Sequence, residues 1–97
     1  MIPENLEIEW DREKSKRIKR ERGKSFEELV EYIRAGKVLA YMKHRNEARY
    51  PNQKLIVLDV DGYPWVLPCE IRGNKLRLIT AFPSRRYKDL IKGEKNG

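Results

Sequence analysis

Leu6, Ile8 and Trp10 alternate with Glu7 and Glu9, the two-residue period of a short strand with one buried face. Asp11 follows as an N-cap for a helix running to Arg22, with Gly23 as its stop. Ile18 is the only large apolar residue of that helix, so the stems of Lys14 and Arg22, near it at helical spacing, are expected to cover the core edge. Ser25-Phe26-Glu27-Glu28 is a capping box, and Phe26, Leu29, Val30 and Ile33 then recur at i, i+3, i+4, i+7 until Gly36. Val38 to Met42 reads as a strand, followed by a polar stretch from His44 to Gln53 that is too rich in turn formers to continue it. Leu55 to Val60 is a strand, Asp61-Gly62 a hairpin turn, and Tyr63 to Ile71 the returning strand. Pro64 and Pro68 should push that strand toward a sheet edge or a bulge. After a turn at Arg72-Gly73-Asn74, Leu76, Leu78 and Thr80 alternate with Arg77 and Ile79. Pro83-Ser84 opens a last short helix in which Ser84 caps and Tyr87, Leu90 and Ile91 face inward.

The order β-α-α-β-β-β-β-α predicts an α+β fold: a small, mainly antiparallel sheet with two N-terminal helices and a short C-terminal helix, all on one side. With 97 residues the chain has room for one core, so a single domain is expected over residues 1–97, with its core at about 6–91 and a frayed tail at 92–97. Hydrophobic residues make up only 39%, but they fall in periodic runs, which argues for a fold rather than disorder. The lone cysteine, Cys69, has no internal disulfide partner and reads as a small packed hydrophobe. One Cys and one His without ligand spacing give no zinc site, and no metal or other cofactor is expected. Met1-Ile2-Pro3-Glu4-Asn5 is not the start of a signal peptide, and no apolar run nears the ~20 residues of a membrane span, so a cytoplasmic protein is expected.

Charge changes the picture more. Twenty-two Lys and Arg stand against 15 Asp and Glu, a formal net charge of +7, which speeds encounters with polyanions. Three clusters carry it. The helix from Arg12 to Arg22 holds seven cations, Arg12, Lys16, Lys19 and Arg20 among them; it is either a solvated face or a platform for phosphates or an acidic partner. The stretch Lys43-His44-Arg45 with Arg49, Tyr50 and Gln53 holds the only histidine, the side chain whose ordinary titration range suits proton transfer near neutrality. RNA cleavage needs a base for the 2′-hydroxyl, a cation for the phosphorane and an acid for the departing 5′-oxygen, and this cluster has those residue types. The third cluster is Pro83-Ser84-Arg85-Arg86-Tyr87, preceded by Arg77 and Thr80.

Taken together, Glu9-Trp10-Asp11, a basic helix ending in Gly and Lys24-Ser25-Phe26-Glu27-Glu28 resemble the opening of the BrnT family of bacterial toxins. His44-Arg45-Asn46, Tyr50-Pro51-Asn52-Gln53, the hairpin at Gly62-Tyr63, and Leu78-Ile79-Thr80 leading to Pro83-Ser84-Arg85-Arg86 are similar to a branch with a histidine-bearing loop and a closing PSR motif. The resemblance runs from about Glu9 to Tyr87 and rests on the order and spacing of these pieces rather than on any one of them. It implies a RelE-like fold and a metal-independent endoribonuclease that arrests growth as the toxin of a type II toxin–antitoxin system. It also implies an antitoxin with a ribbon-helix-helix-type DNA-binding part, through which the complex reaches operator DNA.

On this reading His44, Arg77, Arg85 and Tyr50 are the candidate catalytic residues. Lys43, Arg45, Arg49, Gln53 and Arg86 are candidate RNA contacts, together with Arg12, Lys16, Lys19 and Arg20 of the basic helix. The alternative is a non-catalytic basic module that binds RNA or an acidic protein partner. The two prolines around Trp65 depart from the expected strand pattern and bear on the groove beside them.

Overall fold

The computed structural model describes residues 6–91; the tail expected at 92–97 lies outside them. The elements are β1 (Glu7–Glu9), α1 (Arg12–Arg22), α2 (Phe26–Arg34), β2 (Val38–Lys43), β3 (Gln53–Val60), β4 (Tyr63–Arg72), β5 (Lys75–Leu78) and β6 (Phe82–Pro83). A 3-10 turn at Arg85–Tyr87 leads into helical residues 88–91. The strands form one sheet in the order β1-β5-β4-β3-β2, with β6 beside β4. Every pairing is antiparallel except that of β1 with β5, so the α+β class and the mainly antiparallel sheet hold.

The local signals act as the sequence suggests. Asp11 accepts from the Glu13 N–H at 2.9 Å, and Gly23, at φ 97°, ends α1 by donating to the Lys19 carbonyl. Ser25 and Glu28 close a reciprocal capping box on α2. Asp61 and Gly62 both adopt positive φ, as a two-residue hairpin needs.

Strand alternation sorts the apolar residues onto two faces. Ile56, Leu58 and Val60 of β3 and Trp65, Leu67 and Cys69 of β4 meet Ile18 of α1 and Phe26, Leu29 and Val30 of α2 in the main core. On the opposite face Leu55, Val57 and Val66 form a smaller cluster, with Leu39, Met42, Phe82, Tyr87 and Leu90 packed against it. The C-terminal turn therefore packs on the face away from α1 and α2, which corrects the expectation that the helices share one side. The reason is parity: Leu55, Val57 and Val66 leave that face apolar, and Tyr87 and Leu90 cover part of it. Cys69 is fully buried; its thiol lies 3.6 Å from the Lys54 carbonyl, and burial pushes its pKa up to about 12.

Pro64 and Pro68 do not place β4 at an edge: it is central, and both prolines are buried. The Pro64 carbonyl accepts from Ser84 N–H at 3.0 Å and the Pro68 carbonyl from Ile79 N–H at 2.8 Å. In an antiparallel strand a residue's N–H and C=O point the same way, so each missing N–H faces the β5–β6 segment and the ladder with β3 is spared. β4 keeps an unbroken register with β3, so the bulge expected in it is absent, and the irregularity lies opposite, in that segment. Cys69 pairs with Leu78 and Val66 with Phe82, so Leu67 and Pro68 face three residues, Ile79, Thr80 and Ala81. The last strand is thus broken after Leu78, short of the predicted Thr80, and resumes as β6.

A polar knot joins α1 to α2. The buried Ser15 donates to Glu27 at 2.6 Å and accepts from the Phe26 N–H at 2.9 Å, while Trp10 donates to the same carboxylate at 3.2 Å. These hydrogen bonds, Ser15 foremost, hold the Glu27 carboxyl below its ordinary range. Arg22 donates to the Ala81 carbonyl at 3.1 Å, which ties the end of α1 to the segment before β6.

Two stability measurements follow from these contacts. Ser15→Ala leaves the Phe26 N–H buried without a partner and should cost about 1–3 kcal/mol in denaturant unfolding. The Glu28 carboxyl is held at about 2, first by the Ser25 N–H and then by Lys19. Its folded value lies below its unfolded one, so its contribution is complete above the ordinary carboxylate range and is lost as pH falls through that range toward 2. Glu28→Gln should flatten the acid limb of the stability profile in that window, and an unchanged limb would show that the cap contributes nothing there.

Candidate functional site

The β2–β3 connection folds on itself through its own polar groups. Tyr50 N–H donates to the Asn46 carbonyl at 2.9 Å and Gln53 N–H to the Tyr50 carbonyl at 3.2 Å. His44 N–H donates to the Gln53 carbonyl at 3.2 Å, which closes the loop as an extension of the β2–β3 ladder. The His44 and Tyr50 rings stand 4.7 Å apart at 40°, and the Arg49 guanidinium lies 5.5 Å from the Tyr50 ring centre. Three planar groups thus sit in sequence, which orders an otherwise exposed loop.

This loop forms one wall of a cleft of about 520 Å³ on the face away from α1 and α2. His44, Arg45, Asn46, Tyr50 and Gln53 line that wall. Leu55, Val66 and Pro68 contribute an apolar floor, continued by Ile79, Thr80 and Phe82. Ser84, Arg86 and Tyr87 form the opposite wall. The bulge after Leu78 creates this space, because Ile79 and Thr80 leave the regular ladder where Pro68 has no N–H to offer. Two guanidinium groups and no carboxylate line the cleft, a charge balance suited to an anion.

His44 is oriented by its own chain: its Nδ1 accepts the Asn46 N–H at 3.0 Å. A neutral imidazole with Nδ1 as acceptor carries its proton on Nε2, so the ring is set up as a donor rather than as a free base.

The structure brings together His44, Tyr50, Arg45, Gln53 and Arg86 and leaves the other candidates apart. Arg49 stacks behind Tyr50, and Lys43 pairs with Glu47 at 3.4 Å; neither lines the cleft. Arg77 lies on β5 against Glu9 of the parallel β1 at 3.5 Å, in a separate shallow groove that shares only Gln53 and Ile79 with the cleft. Arg85 is exposed on the 3-10 turn beside Arg86 and does not line the cleft. Arg12, Lys16, Lys19 and Arg20 border another groove, with Ser25 and Glu27, on the helical side of the sheet. Ser84 makes no side-chain cap, contrary to expectation; it lines the cleft while its N–H bonds Pro64. The apolar floor was missed in the sequence because those residues read only as strand core.

Among the described residues no cluster of three or more His, Cys, Asp or Glu side chains is placed to hold a metal ion, and no helix is long and apolar enough to cross a membrane. Compared against models of known protein families and against curated proteins, the chain matches none.

The His44 geometry is directly measurable. A long-range proton–nitrogen correlation spectrum of the neutral ring should place the proton on Nε2 and give Nδ1 the shift of an acceptor. A ring protonated on Nδ1 would mean that the Asn46 contact does not form.

Proposed function

We propose that the protein is a metal-independent endoribonuclease acting as the toxin of a bacterial toxin–antitoxin pair. One observation carries the reading: His44, Arg45 and Tyr50 of one loop and Arg86, distant in sequence, line one cleft with an apolar floor and no carboxylate. The resemblance of the motif order to BrnT-like toxins, whose fold is RelE-like, supports it from the sequence side. The chain then works in the cytoplasm, where its RNA substrate is. Its expected partner is an antitoxin whose body covers the cleft and whose ribbon-helix-helix-type part binds operator DNA.

The chemistry assigned to the cleft is transesterification. The 2′-hydroxyl gives its proton to water as its oxygen attacks the adjacent phosphorus, the bond to the 5′-oxygen breaks, and that oxygen takes a proton from water, leaving a cyclic phosphate end and a 5′-hydroxyl. Arg45 and Arg86 offset the charge that grows on the phosphoryl oxygens. His44 Nε2–H donates to one of those oxygens or to the departing 5′-oxygen, while Tyr50 and the floor hold a nucleobase by stacking and apolar contact. Arg77, paired with Glu9 outside the cleft, has no part in this scheme.

One feature favours a second reading, a module that binds RNA without cutting it. No carboxylate lines the cleft and His44 is a donor, so no strong base faces a 2′-hydroxyl.

Incubation with a defined single-stranded RNA in EDTA separates the two. The expected result is cyclic-phosphate or 3′-phosphate ends, reduced on the order of 100-fold or more by His44→Ala and by Arg86→Ala. Expression should arrest growth in the same pattern. Binding by a folded wild type with no cleavage, on naked or ribosome-bound RNA, would establish the second reading.

A further inference from the structure

Arg12, Lys16, Lys19 and Arg20 of α1 do not line the cleft. Ile18 anchors α1 in the main core with Ile56 and Leu58, whereas the cleft floor is made of Leu55 and Val66 from the other face. The sheet itself lies between them. What remains on the outer side of α1 is a ridge, because a helix with one buried apolar residue presents the rest of its surface to water.

Arg12, Lys16 and Arg20 follow one another at i, i+4 and i+8, which stacks them along one side of the helix with a rise of about 6 Å between successive positions. All three are exposed. Lys16 pairs only with Glu13, at 3.6 Å and with both side chains well exposed, a contact worth little in water. Lys19, next on the ridge, is held by Glu28 at 2.9 Å. Among the described residues Arg12, Arg17 and Arg20 make no ion pair. A row of like charges repels itself, and the shallow groove beside it contains a single carboxylate, Glu27, already engaged by Ser15 and Trp10. A polyanion whose charges repeat along a line relieves that repulsion at several points at once, and its bound counterions are released as it does so. An acidic peptide carries a lower linear charge density than a phosphate backbone and so releases fewer counterions.

We propose that α1 is a second, physically separate phosphate-binding surface, which holds the backbone of a long RNA strand without reading its sequence. It rests on the nuclease reading only in its consequence: the ridge tethers RNA while another stretch of the same or a neighbouring strand enters the cleft. Binding and cutting are then carried by opposite faces of the sheet, so long strands are held more tightly than a fragment that fills the cleft alone.

The test measures affinity for long single-stranded RNA and for a tetranucleotide, both 2′-O-methylated so that neither can be cut, across a series of salt concentrations. The proteins are the full chain, R12Q/K16Q/R20Q and R12E/K16E/R20E, with thermal unfolding to establish that each is folded. The wild type should bind the long strand at least tenfold more tightly. The neutral triple variant should lose most of that difference and lower the log–log salt slope by roughly two, at about 0.7 per phosphate contact. The reversed variant should lose it all, and tetranucleotide binding should stay unchanged in both. Equal affinity of all three proteins for the long strand overturns the proposal and returns the ridge to a solvated face or an acidic partner. A ridge-dependent affinity in a protein that cuts no RNA leaves the ridge standing and removes the nuclease.

Discussion

Eight consecutive backbone pairs join β3 to β4, from Gln53 opposite Glu70 to Val60 opposite Tyr63. This ladder lies in the middle of the sheet, and its alternating side chains supply both apolar faces, Ile56, Leu58, Trp65 and Leu67 on one and Leu55, Val57 and Val66 on the other. It survives two prolines only because both turn their missing N–H away from β3. The cost falls on the neighbouring edge, where β5 breaks and the chain takes an extra residue before β6. That break opens the space between the His44 loop and Ser84-Arg86. The cleft is therefore a by-product of how the central strand satisfies its hydrogen bonds.

Much of this fold was legible in the chain because its signals are local. Asp11, Gly23, the Ser25–Glu28 box and Asp61-Gly62 act within a few residues and act as they read. Two features were not legible. The side chosen by the C-terminal turn depends on which parity of β3 and β4 residues α1 and α2 cover, and that is settled only by the assembled sheet. The prolines announced a disturbance but not its place, since a proline's effect depends on which neighbour its N–H would have faced.

The candidate site divides along the same line. The His44 loop could be found from sequence because His44, Asn46, Tyr50 and Gln53 bond one another over ten residues. Arg86 lines the same cleft, on the turn that Pro83-Ser84 marked. Arg77 entered through the family resemblance and the four cations of α1 as a separate basic cluster, and neither a motif nor charge in a sequence carries direction. Once the sheet is built, Arg77 turns to Glu9 and the helix cations face away.

Cys69 has a consequence of another kind. Its thiol is buried in the β3–β4 ladder, and burial pushes its pKa up to about 12, so the folded chain keeps it as the unreactive thiol. An alkylating reagent can reach it only when the packing around this part of the ladder opens. With a single sulfhydryl in 97 residues, the chain carries its own clock. The rate at which Cys69 is labelled in native buffer reads the frequency of that opening, with no dye or engineered probe.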